Sequence, residues 1–76
     1  MKIKLVFHGN LKKYNNNLPE VVKVVAKGIK VGQLVAQANI PTGEIAFVAI
    51  NGSRVTPDSI ILDGDEVKIF QLVGGG

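Results

Sequence analysis

Val31-Gly32-Gln33-Leu34-Val35-Ala36-Gln37-Ala38-Asn39 is the stretch of this 76-residue chain whose apolar residues follow a helical period. Val31, Leu34, Val35 and Ala38 fall at i, i+3, i+4 and i+7, a stripe along one face, and Pro41 stands just past the end. The spacing predicts a helix of two to three turns over 31–39. Its start is poorly marked. Lys30 occupies the place where Ser, Thr or Asp would bind the free amides, although Gln33 sits three residues on, as a capping box requires. Such a helix must lean on tertiary packing.

Both flanks of this segment are strand-like. Upstream, Lys2-Ile3-Lys4-Leu5-Val6-Phe7-His8 alternates, with Ile3, Leu5 and Phe7 on one face, the pattern of a half-buried strand. Gly9 to Pro19, with Asn15 to Asn17 and Leu18-Pro19, favours turns and predicts a loop. Val21 to Ala26 is rich in β-branched residues and predicts a second strand, antiparallel to the first.

Downstream, Glu44 to Ile50 predicts a third strand. Asn51-Gly52 supplies the two positive-φ positions of a type I′ hairpin, so Ser53-Arg54-Val55 pairs back. Pro57-Asp58-Ser59 breaks that strand, and Asp63-Gly64-Asp65 turns the chain into a last strand over 66–73. Strand, strand, helix, strand, short strand, strand, with one strongly apolar face on each strand, is an α+β order. It describes a β-grasp, a mixed sheet of about four to five strands with one main helix on one face, although periodicity alone leaves other small α+β arrangements open. Residues 1–73 form the expected domain and 74–76 a tail.

Composition narrows the function. Hydrophobic residues make up 46% of the chain and charged ones 20%, a globular balance at a length that allows one modest core. There is no cysteine, which removes disulfides, thiolate zinc sites and a thiol nucleophile. No run approaches the roughly 18 apolar residues of a membrane span, and no signal-peptide pattern precedes the first strand, so the cytoplasm is the expected compartment. The net charge of +3 is spread over scattered lysines and Arg54, which argues against a nucleic-acid stripe. His8 has no acid or thiol at recognisable spacing and reads as a solvated strand-end residue. Asp63 and Asp65 flank a glycine and read as turn chemistry, with no metal-ligand spacing around them. Tyr14, among asparagines, suggests nothing.

The chemistry therefore concentrates in the last residues, Gln71-Leu72-Val73-Gly74-Gly75-Gly76. Without Cβ atoms, the three glycines form a thin, flexible tail able to enter channels that side chains would block. It presents the Gly76 carboxylate, ionised at neutral pH with a reference pKa of about 3.3 to 3.7. A carboxylate becomes an electrophile only when a partner converts its oxygen into a leaving group.

The segments in order resemble the ThiS/MoaD family of ubiquitin-like sulfur carriers along essentially the whole chain. The residues that carry the likeness are Lys2-Ile3-Lys4-Leu5-Val6-Phe7, Val31-Gly32-Gln33-Leu34, Val48-Ala49-Ile50-Asn51-Gly52, Leu62-Asp63-Gly64-Asp65-Glu66-Val67 and Val73-Gly74-Gly75-Gly76. The resemblance implies a non-enzyme that acts as protein co-substrate, binding no cofactor of its own. A ThiF/MoeB-like E1 adenylyltransferase would spend ATP to adenylate Gly76, and a persulfide donor would convert the adenylate to a thiocarboxylate. The sulfur would then pass to thiazole synthase or to the large subunit of molybdopterin synthase. Gly74 as a third glycine is similar to some thiamin-type carriers, whereas the long 9–19 loop looks like the molybdopterin branch, so both pathways stay open.

Alternation sends Val67 and Ile69 inward and Phe70 and Leu72 outward; likewise Val48 and Ile50 go in while Phe47 and Ala49 come out. The outer face is expected to display Val6, Phe47, Phe70 and Leu72 within a rim of Lys2, Lys4 and Lys68, a docking patch beside the tail. Two other readings share these residues: a ubiquitin-like modifier joined to proteins through Gly76, and a non-catalytic β-grasp module that binds RNA or protein.

Overall fold

The computed structural model describes residues 1–73. Strands β1 (Lys2–Phe7), β2 (Glu20–Val24), β3 (Ile45–Ile50), β4 (Ser53–Val55) and β5 (Glu66–Gln71) form one mixed sheet in the order β2-β1-β5-β3-β4. The central pair, β1 and β5, is parallel and the other pairs are antiparallel. Helix α1 (Val31–Gln37) links β2 to β3, the two strands that flank the parallel pair. This is the expected β-grasp.

The core is built from the alternation. Ile3, Leu5 and Phe7 of β1 and Val67 and Ile69 of β5 lie on the inner face, all buried. Val31, Leu34 and Val35 of α1 pack into the same cluster, Leu34 without exposed surface. The missing cap is replaced by tertiary partners: Val31 N–H donates to Ser59 O at 3.0 Å and Gly32 N–H to Pro57 O at 2.9 Å. Gln33 contributes the half of the capping box that chemistry permits, its Oε1 accepting from Lys30 N at 2.9 Å. A lysine side chain has no acceptor with which to complete it.

Several boundaries differ from the sequence expectation. The helix ends at Gln37, not Asn39, because Asn39 takes φ 59° and reverses the chain. The predicted loop contains a 3₁₀ helix over Gly9–Asn15, closed by Asn16 and Asn17 at φ 51° and 64° and held down by the buried Leu11. β2 stops at Val24, ahead of Ala26, and β5 stops at Gln71, which leaves Leu72 beyond the sheet. The hairpin is as expected, with Asn51 and Gly52 at φ 50° and 86°.

Asp63 and Asp65 serve the turn. Asp63 Oδ1 accepts Lys2 N–H at 2.8 Å. Asp65, nearly buried, accepts Leu62 N–H at 2.8 Å and the Asn51 amide at 3.0 Å. Asn51 Oδ1 in turn accepts Glu66 N–H at 2.9 Å, which ties the hairpin tip to the start of β5.

Candidate functional site

β5 ends at Gln71, shortly before the expected tail of residues 74–76, and three elements converge on that end. Leu72 N–H donates to Glu44 O at 2.9 Å, which fixes the chain just after the sheet. Gln71 Oε1 accepts Asn10 N–H at 2.8 Å from the 3₁₀ helix. That contact needs Gly9, which sits at φ 61° directly beneath the Gln71 amide, where a Cβ would overlap it.

Glu44 has a second task. Its carboxylate accepts from the Tyr14 hydroxyl and, at 3.3 Å, from Lys13 Nζ. The Tyr14 bond first, and then Lys13, hold the Glu44 carboxyl below the usual carboxylate range. The same carboxylate raises the Tyr14 phenol and the Lys13 ammonium. Tyr14, which suggested nothing in the sequence, thus clamps the 3₁₀ helix to the residue that holds Leu72. Only its partner across the fold, thirty residues on, reveals it.

The outer face carries a continuous row of planar groups. His8 stacks on Phe70 with ring centroids 4.5 Å apart, and Phe70 on Phe47 at 4.5 Å. The Arg54 guanidinium lies over Phe47 at 4.8 Å. Phe47 and Phe70 are cross-strand partners of β3 and β5, and a bulge at Ala46 makes this possible: Ile45 pairs with Gln71, yet Phe47 pairs with Phe70. The extra residue keeps Ile45 against the core and turns Phe47 outward.

Of the expected patch, Val6, Phe47 and Phe70 are half-buried on this face and Leu72 is half-exposed just beyond it. Ala49 corrects the pattern. It faces outward but is 6% exposed, because its cross-strand neighbours Arg54 and Lys68 cover so small a side chain. The expected lysine rim is partly neutralised. Lys4 pairs with Glu20 at 3.4 Å and Glu66 at 3.6 Å, and Lys68 with Glu66 at 3.7 Å. Arg54 has no carboxylate partner among the described residues. His8 is an exposed strand-end residue as expected, but its stacking was missed, since nothing in sequence places it beside residue 70.

A cavity of about 420 Å³ lies between α1 and the β3–β4 edge, walled by Val31, Val35, Ile45, Val55 and Pro57, with Arg54 the one charged residue among the described residues that line it. It assembles no acid, base and nucleophile set. Among the described residues no cluster of His, Asp and Glu is arranged to hold a metal ion, and no helix is long and apolar enough to cross a membrane. Gly74, Gly75 and Gly76 lie outside the described residues.

Solved structures share this fold over their full lengths. SAMP1 from Haloferax volcanii superposes with a TM-score of 0.76 at 19% identity, covering 100% of both chains. A Pyrococcus furiosus protein described as molybdopterin converting factor subunit 1 gives 0.77 at 22%, over 96% of this chain and 99% of that one. The Helicobacter pylori complex of subunits 1 and 2 of molybdopterin-converting factor contains a chain that gives 0.66 at 18%, with 100% of both covered. No curated protein is significantly similar in sequence. The family model described as the ThiS family matches residues 6–76, nearly the whole chain and the glycine end with it. With the β-grasp sheet and the family match in agreement, the chain belongs to the ThiS family, within the ThiS/MoaD group of ubiquitin-like sulfur carriers.

Proposed function

We propose that this protein carries sulfur on the carboxyl group of Gly76. The observation that supports it best is the root of the tail. β5 runs from the centre of the sheet directly into Leu72, which the Glu44 carbonyl and the Gln71–Asn10 bond hold in place. A rigid base with three glycines beyond it suits a group that must visit more than one active site.

In the proposed cycle, a Gly76 carboxylate oxygen attacks the α-phosphorus of ATP on an E1-like adenylyltransferase, and pyrophosphate leaves. A persulfide sulfur then attacks the acyl carbon and expels AMP. Cleavage of the resulting S–S bond by a thiol leaves the thiocarboxylate. This chain supplies the electrophile and the docking surface, whereas ATP binds the partner. An acceptor enzyme of the thiazole synthase or molybdopterin synthase kind takes the sulfur. Val6, Phe47, Phe70 and Leu72 form the docking patch, with His8 and Arg54 at the two ends of its aromatic row.

The test is intact mass spectrometry of the protein recovered from cells that contain its activating enzyme. The expected product is heavier by the difference between sulfur and oxygen, with the change at Gly76. An unmodified Gly76 in cells actively making the sulfur product would overturn the proposal. A second reading, favoured by the fit to SAMP1, whose structure is also described as that of a small archaeal modifier protein, is conjugation through Gly76. It predicts isopeptide adducts of this chain on lysines of other proteins.

A further inference from the structure

β2 lies at the edge of the sheet, with β1 on one side and, among the described residues, no strand on the other. Met1 and Val25 exchange both of their backbone bonds, at 3.0 and 2.9 Å, and this sets the phase of the ladder. Val21 and Lys23 turn their peptide groups toward β1, while Glu20, Val22 and Val24 turn theirs outward. The side chains of those same three residues point to the outer face, with Val22 67% and Val24 75% exposed.

Natural edge strands are blunted by a bulge, a proline, a charge at the edge or a charged side chain that points inward. β2 has no bulge and no proline; its lysine, Lys23, pairs with the core residue Ile3 and lies half-buried on the inner face, the one such guard in the strand, and it leaves the outer face of the edge to Glu20, Val22 and Val24. Two of its three edge-facing residues are valine.

We propose that this edge binds a second copy of the chain, with the two β2 strands antiparallel about a two-fold axis through Val22. Self-complementarity singles out this occupant. In the register centred on Val22, Glu20 of each copy meets Val24 of the other and Val22 meets Val22, so every outward peptide group of β2 finds a partner. A register centred on Lys23 or Val21 leaves one edge residue of each strand unmatched within the strands, and one centred on Glu20 sets two carboxylates face to face.

The charges agree with the same register. Lys2 is the β1 partner of Val24, so Glu20 of one copy faces Lys2 of the other across a valine, twice by symmetry. Lys4, the β1 partner of Val22, is kept from its counterpart by two valines and is already paired with Glu20 and Glu66. Asn15 Nδ2 contacts Glu20 O at 3.4 Å, which leaves that carbonyl a second lone pair for the new bond.

Because β2 runs antiparallel to β1 and β5, the two-fold sends the two chain ends in opposite directions. Phe70 and Phe47 sit on β5 and β3, beyond β1, so the aromatic row stays uncovered. The dimer is thus independent of what the tail does. A single strand pair falls in the small class of interface, below about 1,200 Å², so association is weak and concentration-dependent.

Sedimentation velocity on the full chain, from roughly micromolar to about millimolar concentration, tests this. The average mass is expected to climb toward twice the monomer, with concentration-dependent amide shifts centred on Glu20, Val22 and Val24. Val22→Pro removes an N–H that points away from β1 and so breaks no bond within the chain. Val22→Lys places two cations across the axis and serves if the proline variant misfolds. Each folded variant is expected to weaken association at least about tenfold, the loss of roughly 1.4 kcal/mol. A wild type that stays monomeric throughout, a Val22→Lys protein that dimerises unchanged, or shifts centred on Phe47 and Phe70 would each overturn the proposal.

Discussion

Replacing Gly9 by alanine tests the root of the tail most sharply, because its cost has two separable parts. The first is conformational. At φ 61° an alanine is strained by about 1 kcal/mol relative to glycine. The second is a collision: the new Cβ overlaps Gln71 Oε1 and lies 3.2 Å from Gln71 Cδ. The atom struck is the end of a movable side chain, so the amide swings away, but in doing so it gives up the bond from Asn10 N–H. A hydrogen bond of this kind is worth about 1 kcal/mol. Gly9→Ala is therefore expected to cost about 2 kcal/mol in urea denaturation, a Tm drop of roughly 8 to 16 °C for a chain of this size. Gln71→Ala alone loses the bond, about 1 kcal/mol. In the double variant the bond can be lost only once and the collision is gone. The total should stay near 2 kcal/mol, short of the additive sum by about 1 kcal/mol. Strict additivity would refute the claim that Gly9 exists to let Gln71 close over it.

Glu44→Gln should return Tyr14, the only tyrosine, toward ordinary phenol behaviour, and ultraviolet titration of its phenolate reads this directly. The sign on stability follows from the same shifts. The depressed Glu44 carboxyl contributes above its unfolded pKa, and the contribution is lost as pH falls through the lower folded value. Tyr14 and Lys13, both raised, contribute below their unfolded values and lose that contribution as pH rises through the folded ones. Wild type should therefore lose more stability on acidification than Glu44→Gln, and equal acid limbs would count against the clamp. Phe70→Ala removes the middle of the aromatic row, where each ring contact is worth about 1 kcal/mol. It should weaken binding to an E1-like enzyme in calorimetry while the domain stays folded, and unchanged affinity there and in Leu72→Ala would remove the patch from the mechanism. Asn51→Ala strains a φ of 50° and frees both Asp65 and Glu66 N–H, so a loss of about 2 kcal/mol in thermal unfolding is expected.

Much of this protein is written locally. The period of Ile3, Leu5 and Phe7, the helical stripe from Val31, and Asn51-Gly52 each state a backbone geometry within a few residues, because side-chain direction repeats every two or 3.6 positions. The order of those elements pointed to an α+β fold of the β-grasp kind, which the family resemblance singled out among small α+β arrangements, and the outer positions of Val6, Phe47 and Phe70 followed from alternation. Alternation alone did not foresee the bulge at Ala46, although that residue is what allows Ile45 and Phe47, of the same parity, to face opposite ways.

What the sequence could not state is anything that depends on two distant segments meeting. The Tyr14 hydroxyl on Glu44, Gln71 over Gly9, and His8 on Phe70 join residues between 30 and 62 positions apart, and none has a local signature. The helix start shows the same division: Lys30 promised no cap, and the carbonyls of Pro57 and Ser59 arrived from elsewhere in the fold to take the free amides. The sequence by itself determined the strands, the helix, the turn chemistry and the glycine end, since these are set by neighbours along the chain. Tertiary structure alone decided how the base of that end is held and how the rings of the outer face stack, since both depend on contacts that exist only once β5 has been inserted between β1 and β3.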